Sequence, residues 1–100
     1  MKLRHDLIPP HSLAKVAEAL TVGAVKHGDS AYLDEPRPDE ESRCMASLLR
    51  HLNADRCGAV RDSDGFDHLA GVAARALMIL EMRRRAQTRR GPTSPATPGV

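Results

Sequence analysis

The chain has 100 residues, 28% of them charged and 41% apolar, with two aromatics and a net charge of +2. That length excludes more than one small domain, and that charge is too weak to imply a nucleic-acid partner by itself. Cys44 and Cys57 form no C-x-x-C pair, so a cysteine-based zinc site is excluded and reduced thiols in a cytoplasm are expected.

"MKLRHDLIPP" reads as an extended lead-in, because each proline keeps the residue before it out of the helical region. It contains no apolar run of signal-peptide length. Leu13, Val16, Ala17, Leu20 and Ala24 then recur at helical spacing. Ser12 is expected to cap a first helix over about 11–27, and Gly28 suits its stop.

"GDSAYLDEPRPDE" is expected to be a loop, since Pro36 and Pro38 cannot sit inside a helix. Asp39 is placed to cap a second helix, about 39–54, with Glu40 and Glu41 in its first turn. Met45, Leu48, Leu49 and Leu52 form its apolar stripe. A charged hinge follows over 55–63, and Asp64 is placed to cap a third helix, about 65–86.

The third helix carries a broad stripe of Leu69, Val72, Ala73, Ala76, Leu77 and Leu80, widened by Ala70, Ala74 and Ile79. It is expected to be the most buried element and to meet a second subunit. The pattern predicts an all-α fold with no strands: a small helical bundle over residues 1–86, completed by homo-oligomerisation because so short a chain buries a thin core. "GPTSPATPGV" gives residues 87–100 the composition of a disordered, basic, Pro-rich tail. No stretch approaches the roughly 20 apolar residues of a membrane span.

Two kinds of residue can do chemistry. Carboxylates three or four apart lie on one helical face, and Mg²⁺ or Mn²⁺ takes hard oxygen ligands from such faces together with substrate phosphates. The chain offers Glu40-Glu41-x-x-Cys44 and Asp64-x-x-Asp67, although dipole complementation and capping explain the same residues. His51 and His68 face each other if the second and third helices form an antiparallel hairpin, and such a pair can bind metal, donate to phosphate or transfer protons. Arg50 and Lys26 are candidate phosphate contacts. Five arginines in "EMRRRAQTRR" read as a solvated helix end. H-E-x-x-H and phosphate-loop signatures are absent, and the scarcity of aromatics argues against a base-stacking platform.

"KLRHDLIPPHSLAKVAEALTVGAVKHGD", then "LLRHL", Asp62, Gly65 and "HLAGVAARALMIL", resemble a phage family over about residues 2–82. It is the family of dATP/dGTP diphosphohydrolases, the MazZ-like branch of the all-α MazG nucleotide pyrophosphatases. The resemblance implies a helical oligomer, a dimer or tetramer, that hydrolyses purine deoxynucleoside triphosphates to monophosphate and pyrophosphate with Mg²⁺ or Mn²⁺. It also implies a place in the host cytoplasm and a supply of dGMP for 2-aminoadenine phage DNA.

The MazG signature E-E-x-x-E…E-x-x-D would fall on Glu40, Glu41, Cys44, Asp64 and Asp67, with Cys44 and Asp64 departing from it. The branch often carries a histidine at the position of Gly71 and an asparagine at that of Arg75. The resemblance therefore implies metal ligation and catalysis by Glu41, Asp64 and Asp67, with Glu40 and Asp62 as further metal ligands. His51 would be catalytic. Lys26, Arg50 and His68 would bind phosphates, and Tyr32 would lie near the base. Glu41 and Asp64 meet only if the hinge is asymmetric or the site combines chains. Two rival readings stay open: a non-catalytic helical dimerisation module, and a small nucleic-acid-binding protein using its basic end.

Overall fold

The computed structural model describes residues 1–90. The expected tail lies outside them from residue 91 onward. A 3-10 turn, His5–Leu7, leads into α1 (Pro10–His27), the single-turn α2 (Ala31–Asp34), α3 (Glu40–Arg56) and α4 (His68–Arg90). The fold is all-α, and no strand occurs among the described residues.

Pro10 opens α1 from the first helical position, with Pro9 extended before it. A proline there loses no helical hydrogen bond, so Ser12 lies inside the helix rather than at its cap. Gly28 closes α1 at φ 95°, its N–H donating to the Ala24 carbonyl at 2.8 Å. α2 sits within the stretch expected as a loop. Its turn is closed locally by the Ser30 carbonyl, which accepts from Leu33 and Asp34 N–H, and one turn needs no apolar periodicity.

Asp39 precedes α3, but its side chain makes no capping bond. Glu40 instead reaches back, accepting from the Arg37 backbone N–H and guanidinium at 3.3 Å. Past Gly58 (φ 96°) the chain makes a small antiparallel turn. Asp62 N–H donates to the Phe66 carbonyl and His68 N–H to the Val60 carbonyl, both at 2.8 Å. Gly65, at φ 94°, permits the tight reversal.

That turn moves the start of α4 from the expected 65 to His68. Asp64 is therefore not a cap. It lies in the turn, with its N–H on Asp62 Oδ2 at 3.2 Å.

α4 packs along α3 and against α1. The contacts Cys44–Arg75, His51–His68 and Glu41–Arg83 fix α3 and α4 as antiparallel. The core is small: Ala19 of α1 meets Phe66, Ala70 and Ala74, with Val16 and Val22 against them. Alanines four residues apart share one face and let the helices approach closely.

The broad stripe of α4 is divided. Ala70, Ala74 and Ile79 are buried and Ala73 and Ala76 half-buried, while Leu69, Leu77 and Leu80 remain 54%, 48% and 64% exposed. α3 and α1 together leave those leucines uncovered. The arginine-rich end is exposed to solvent and carries ion pairs there: Arg84 and Arg85 bond Glu81, and Arg83 bonds Glu41. No described helix is long and apolar enough to cross a membrane.

Candidate functional site

A cleft of about 450 Å³ opens where α1, α3, the 62–66 turn and α4 converge. Each wall follows from helical spacing. On α1, Gly23, Lys26 and His27 stand at i, i+3 and i+4, so one face presents both side chains. α3 contributes the neighbours Arg50 and His51, α4 contributes His68 and, two turns later on the same face, Arg75, and the turn contributes Asp62 and Asp64.

Two imidazoles meet in the cleft. His51 Nδ1 and His68 Nδ1 lie 2.9 Å apart, so either one ring donates to the other or both lone pairs meet a third species. Ligand atoms of His51, Asp62 and His68 all lie within 4.8 Å of one another. They form the one such group of three donors among the described residues. Phe66 walls the His51 ring at a centroid distance of 5.6 Å, and Gly71 lies beneath it.

Electrostatics reinforces the arrangement. Burial pushes the His51 imidazolium toward neutrality, and the positive charges of Arg75 and Arg50 add to this against the opposing pull of Asp62. A neutral imidazole has a lone pair to offer. For Asp62, burial acts upward, but the backbone N–H groups of Asp64 and Ser63 and the two histidines outweigh it. Its carboxyl is held below the ordinary range and is ionised.

Lys26 forms an ion pair with Asp64 across the mouth. Arg75 Nε donates to Ser47 Oγ at 3.2 Å. Lys26, Arg50 and Arg75 thus set three permanent positive charges against the two carboxylates.

Of the residues singled out in the sequence, the cleft gathers Lys26, Arg50, His51, Asp62, Asp64 and His68. Asp67 lies beside it, its carboxylate 3.9 Å from Arg61 Nε. Glu40 and Glu41 lie elsewhere. Ten residues separate Glu41 from His51, about 15 Å along α3, and Glu41 bonds Arg83 at 3.1 Å. Tyr32 also sits at that far end, where burial and Glu81 raise its phenol. The four carboxylates Glu40, Glu41, Asp64 and Asp67 therefore do not assemble within one chain.

Arg75 and His27 were not singled out as site residues. Arg75 was legible as the seventh residue after His68 on one helical face, and His27 as the neighbour of Lys26. Cys44, at the third glutamate position of the signature, is buried and contacts the Arg75 carbonyl at 3.6 Å. Burial pushes its thiol up, so it supplies no anionic ligand.

A family model described as dATP/dGTP diphosphohydrolase, N-terminal, matches residues 1–90. No curated protein and no solved structure matches the chain.

Proposed function

The chain belongs to the dATP/dGTP diphosphohydrolase, N-terminal, family, and from that premise we propose that it hydrolyses purine deoxynucleoside triphosphates. Water attacks the α-phosphorus, the bond from that phosphorus to the bridging oxygen breaks, and monophosphate and pyrophosphate leave. The observation that carries this reading is one cleft lined both by Lys26, Arg50 and Arg75 and by the converging donors His51, Asp62 and His68.

The reaction calls for a divalent cation, Mg²⁺ or Mn²⁺. The donor set at the cleft fits one, and His51, Asp62 and His68 are the residues that would hold it. Held by those residues, a cation would supply neutralisation of polyphosphate charge and Lewis acidity. The side chains do the rest. Arg50 and Arg75 grip phosphate oxygens through planar guanidinium forks. Lys26 adds a point charge and fixes Asp64 at the mouth. Asp64 is then the carboxylate that accepts the proton of the attacking water. We place the reaction in a host cytoplasm, where its dGMP would feed the synthesis of 2-aminoadenine DNA, and we assign the exposed leucines of α4 to contact with another copy of the chain.

Product analysis tests the reading. The purified chain is incubated with each of the four deoxynucleoside triphosphates and Mg²⁺ or Mn²⁺, and the products are separated chromatographically. Purine-selective formation of monophosphate and pyrophosphate, abolished by chelator, is the expected result. Diphosphate with orthophosphate, or no turnover of any substrate, overturns it.

A further inference from the structure

We propose that His51, Asp62 and His68 form a binding site for one transition-metal ion of the Mn²⁺-to-Zn²⁺ series, selected over Mg²⁺. The inference deepens the proposed function by naming the class of cation. It rests on that reading only for the ion's purpose, since binding can be measured without turnover.

The donor set is the first argument. Mg²⁺ favours near-octahedral oxygen ligands and usually binds through one or two carboxylates and substrate phosphates. The cleft instead converges two imidazole nitrogens and one carboxylate, a set that suits first-row transition metals and leaves positions open on the ion. Glu40 and Glu41, which could have built an oxygen-only shell, lie away from the cleft beside Arg37 and Arg83.

Geometry is the second argument. The two Nδ1 atoms are 2.9 Å apart. Two metal–nitrogen bonds of about 2.0–2.1 Å spanning that gap enclose an angle of roughly 90°. That angle matches neighbouring positions of an octahedron better than those of a tetrahedron.

The donors are also held from three directions. His51 comes from α3 and its ring packs against both Phe66 and Gly71. His68 opens α4, with its backbone N–H tied to Val60. Asp62 is fixed by its own N–H on the Phe66 carbonyl and by the Asp64 N–H on its carboxylate. Lys26, Arg50 and Arg75 line the same cleft, where a polyphosphate would lie.

Calorimetric titration of the chelator-treated full chain with Co²⁺, Mn²⁺ and Mg²⁺, together with the visible spectrum of the Co²⁺ form, tests this. We expect one Co²⁺ per chain, bound about 100-fold or more tightly than Mg²⁺. A weak octahedral-type absorption should appear with Co²⁺. His68→Asn and Asp62→Asn should each weaken Co²⁺ binding by about 10-fold or more while keeping the wild-type helical circular dichroism. Glu41→Gln should bind as wild type.

Mg²⁺ binding as tight as Co²⁺, or Co²⁺ binding unchanged in both folded cleft variants, overturns the proposal. So does loss of binding in Glu41→Gln. The two readings fail separately. Selective Co²⁺ binding without turnover of any triphosphate sinks the proposed reaction alone. Turnover with Mg²⁺ that survives intact in His68→Asn sinks the metal assignment alone.

Discussion

Gly71 lies directly beneath the His51 ring: a Cβ built on it would stand 3.0 Å from His51 Cγ and Cδ2 and 3.1 Å from Phe66 Cε2. A glycine in a helix interior costs about 1 kcal/mol relative to alanine, so its place in α4 has a packing reason. The absent side chain is the space that the imidazole occupies.

Gly71→Ala should therefore destabilise the fold despite the better helix former. Overpacking costs about 1–3 kcal/mol and the helical gain returns about 1 kcal/mol. The expected net loss is about 1 kcal/mol, seen as a melting temperature lower by about 4–8 °C. The displaced His51 should also weaken Co²⁺ binding. A higher melting temperature with unchanged metal affinity would mean that the ring moves aside freely.

Phe66 is the only aromatic ring in the buried cluster with Ala19, Ala70 and Ala74. Phe66→Ala should cost about 3–5 kcal/mol, most of the stability that so small a domain commands. Urea denaturation should show the midpoint collapsing toward zero. A midpoint within a tenth of wild type would show that the alanine contacts alone hold α1 to α4.

Arg50 is exposed, lines the cleft and is not part of the buried cluster. Arg50→Met should leave the melting temperature within about 2 °C of wild type, as surface substitutions generally do. Triphosphate binding should weaken by about 10- to 100-fold, the worth of a charge-assisted hydrogen bond. Titration with a non-hydrolysable deoxyguanosine triphosphate checks both expectations, and equal affinity in the variant would remove Arg50 from the phosphate wall.

The Glu41–Arg83 pair is exposed on both sides, where such pairs contribute about 0–1 kcal/mol. Glu41→Gln should leave stability and metal affinity unchanged. Loss of turnover in this variant would instead show that Glu41 reaches the cleft of another copy.

Glu40 gives the pH dependence. Its side chain is only 15% exposed, and the hydrogen bond from Arg37 leads the causes that hold its carboxyl below the ordinary 4.5. A depressed native pKa means that the unfolded chain takes up the proton first. The contribution is thus complete above about pH 4.5 and is lost as pH falls toward the native value. The wild-type melting temperature should drop more steeply than that of Glu40→Gln between pH 5 and pH 3, checked by parallel thermal melts. Parallel curves would show that the Arg37 contacts do not survive in solution.

The helical class was legible because apolar residues at 3.6-residue spacing can be buried only as helices. The three long helices fall near their expected bounds, since proline and glycine punctuate a chain locally. His51 facing His68 was legible too, because a hairpin centred near residue 60 pairs positions equally distant from it. The 62–66 turn was not, since its register depends on backbone bonds between Asp62 and Phe66 and between Val60 and His68. It moved Asp64 from a cap to the cleft mouth. The carboxylates at the start of α3 looked equivalent to those of the hinge, because sequence spacing carries no information on distance between elements. Only the antiparallel packing of α3 on α4 placed Glu41 beside Arg83, about three turns from the histidines, and left two imidazoles and Asp62 as the donors that converge.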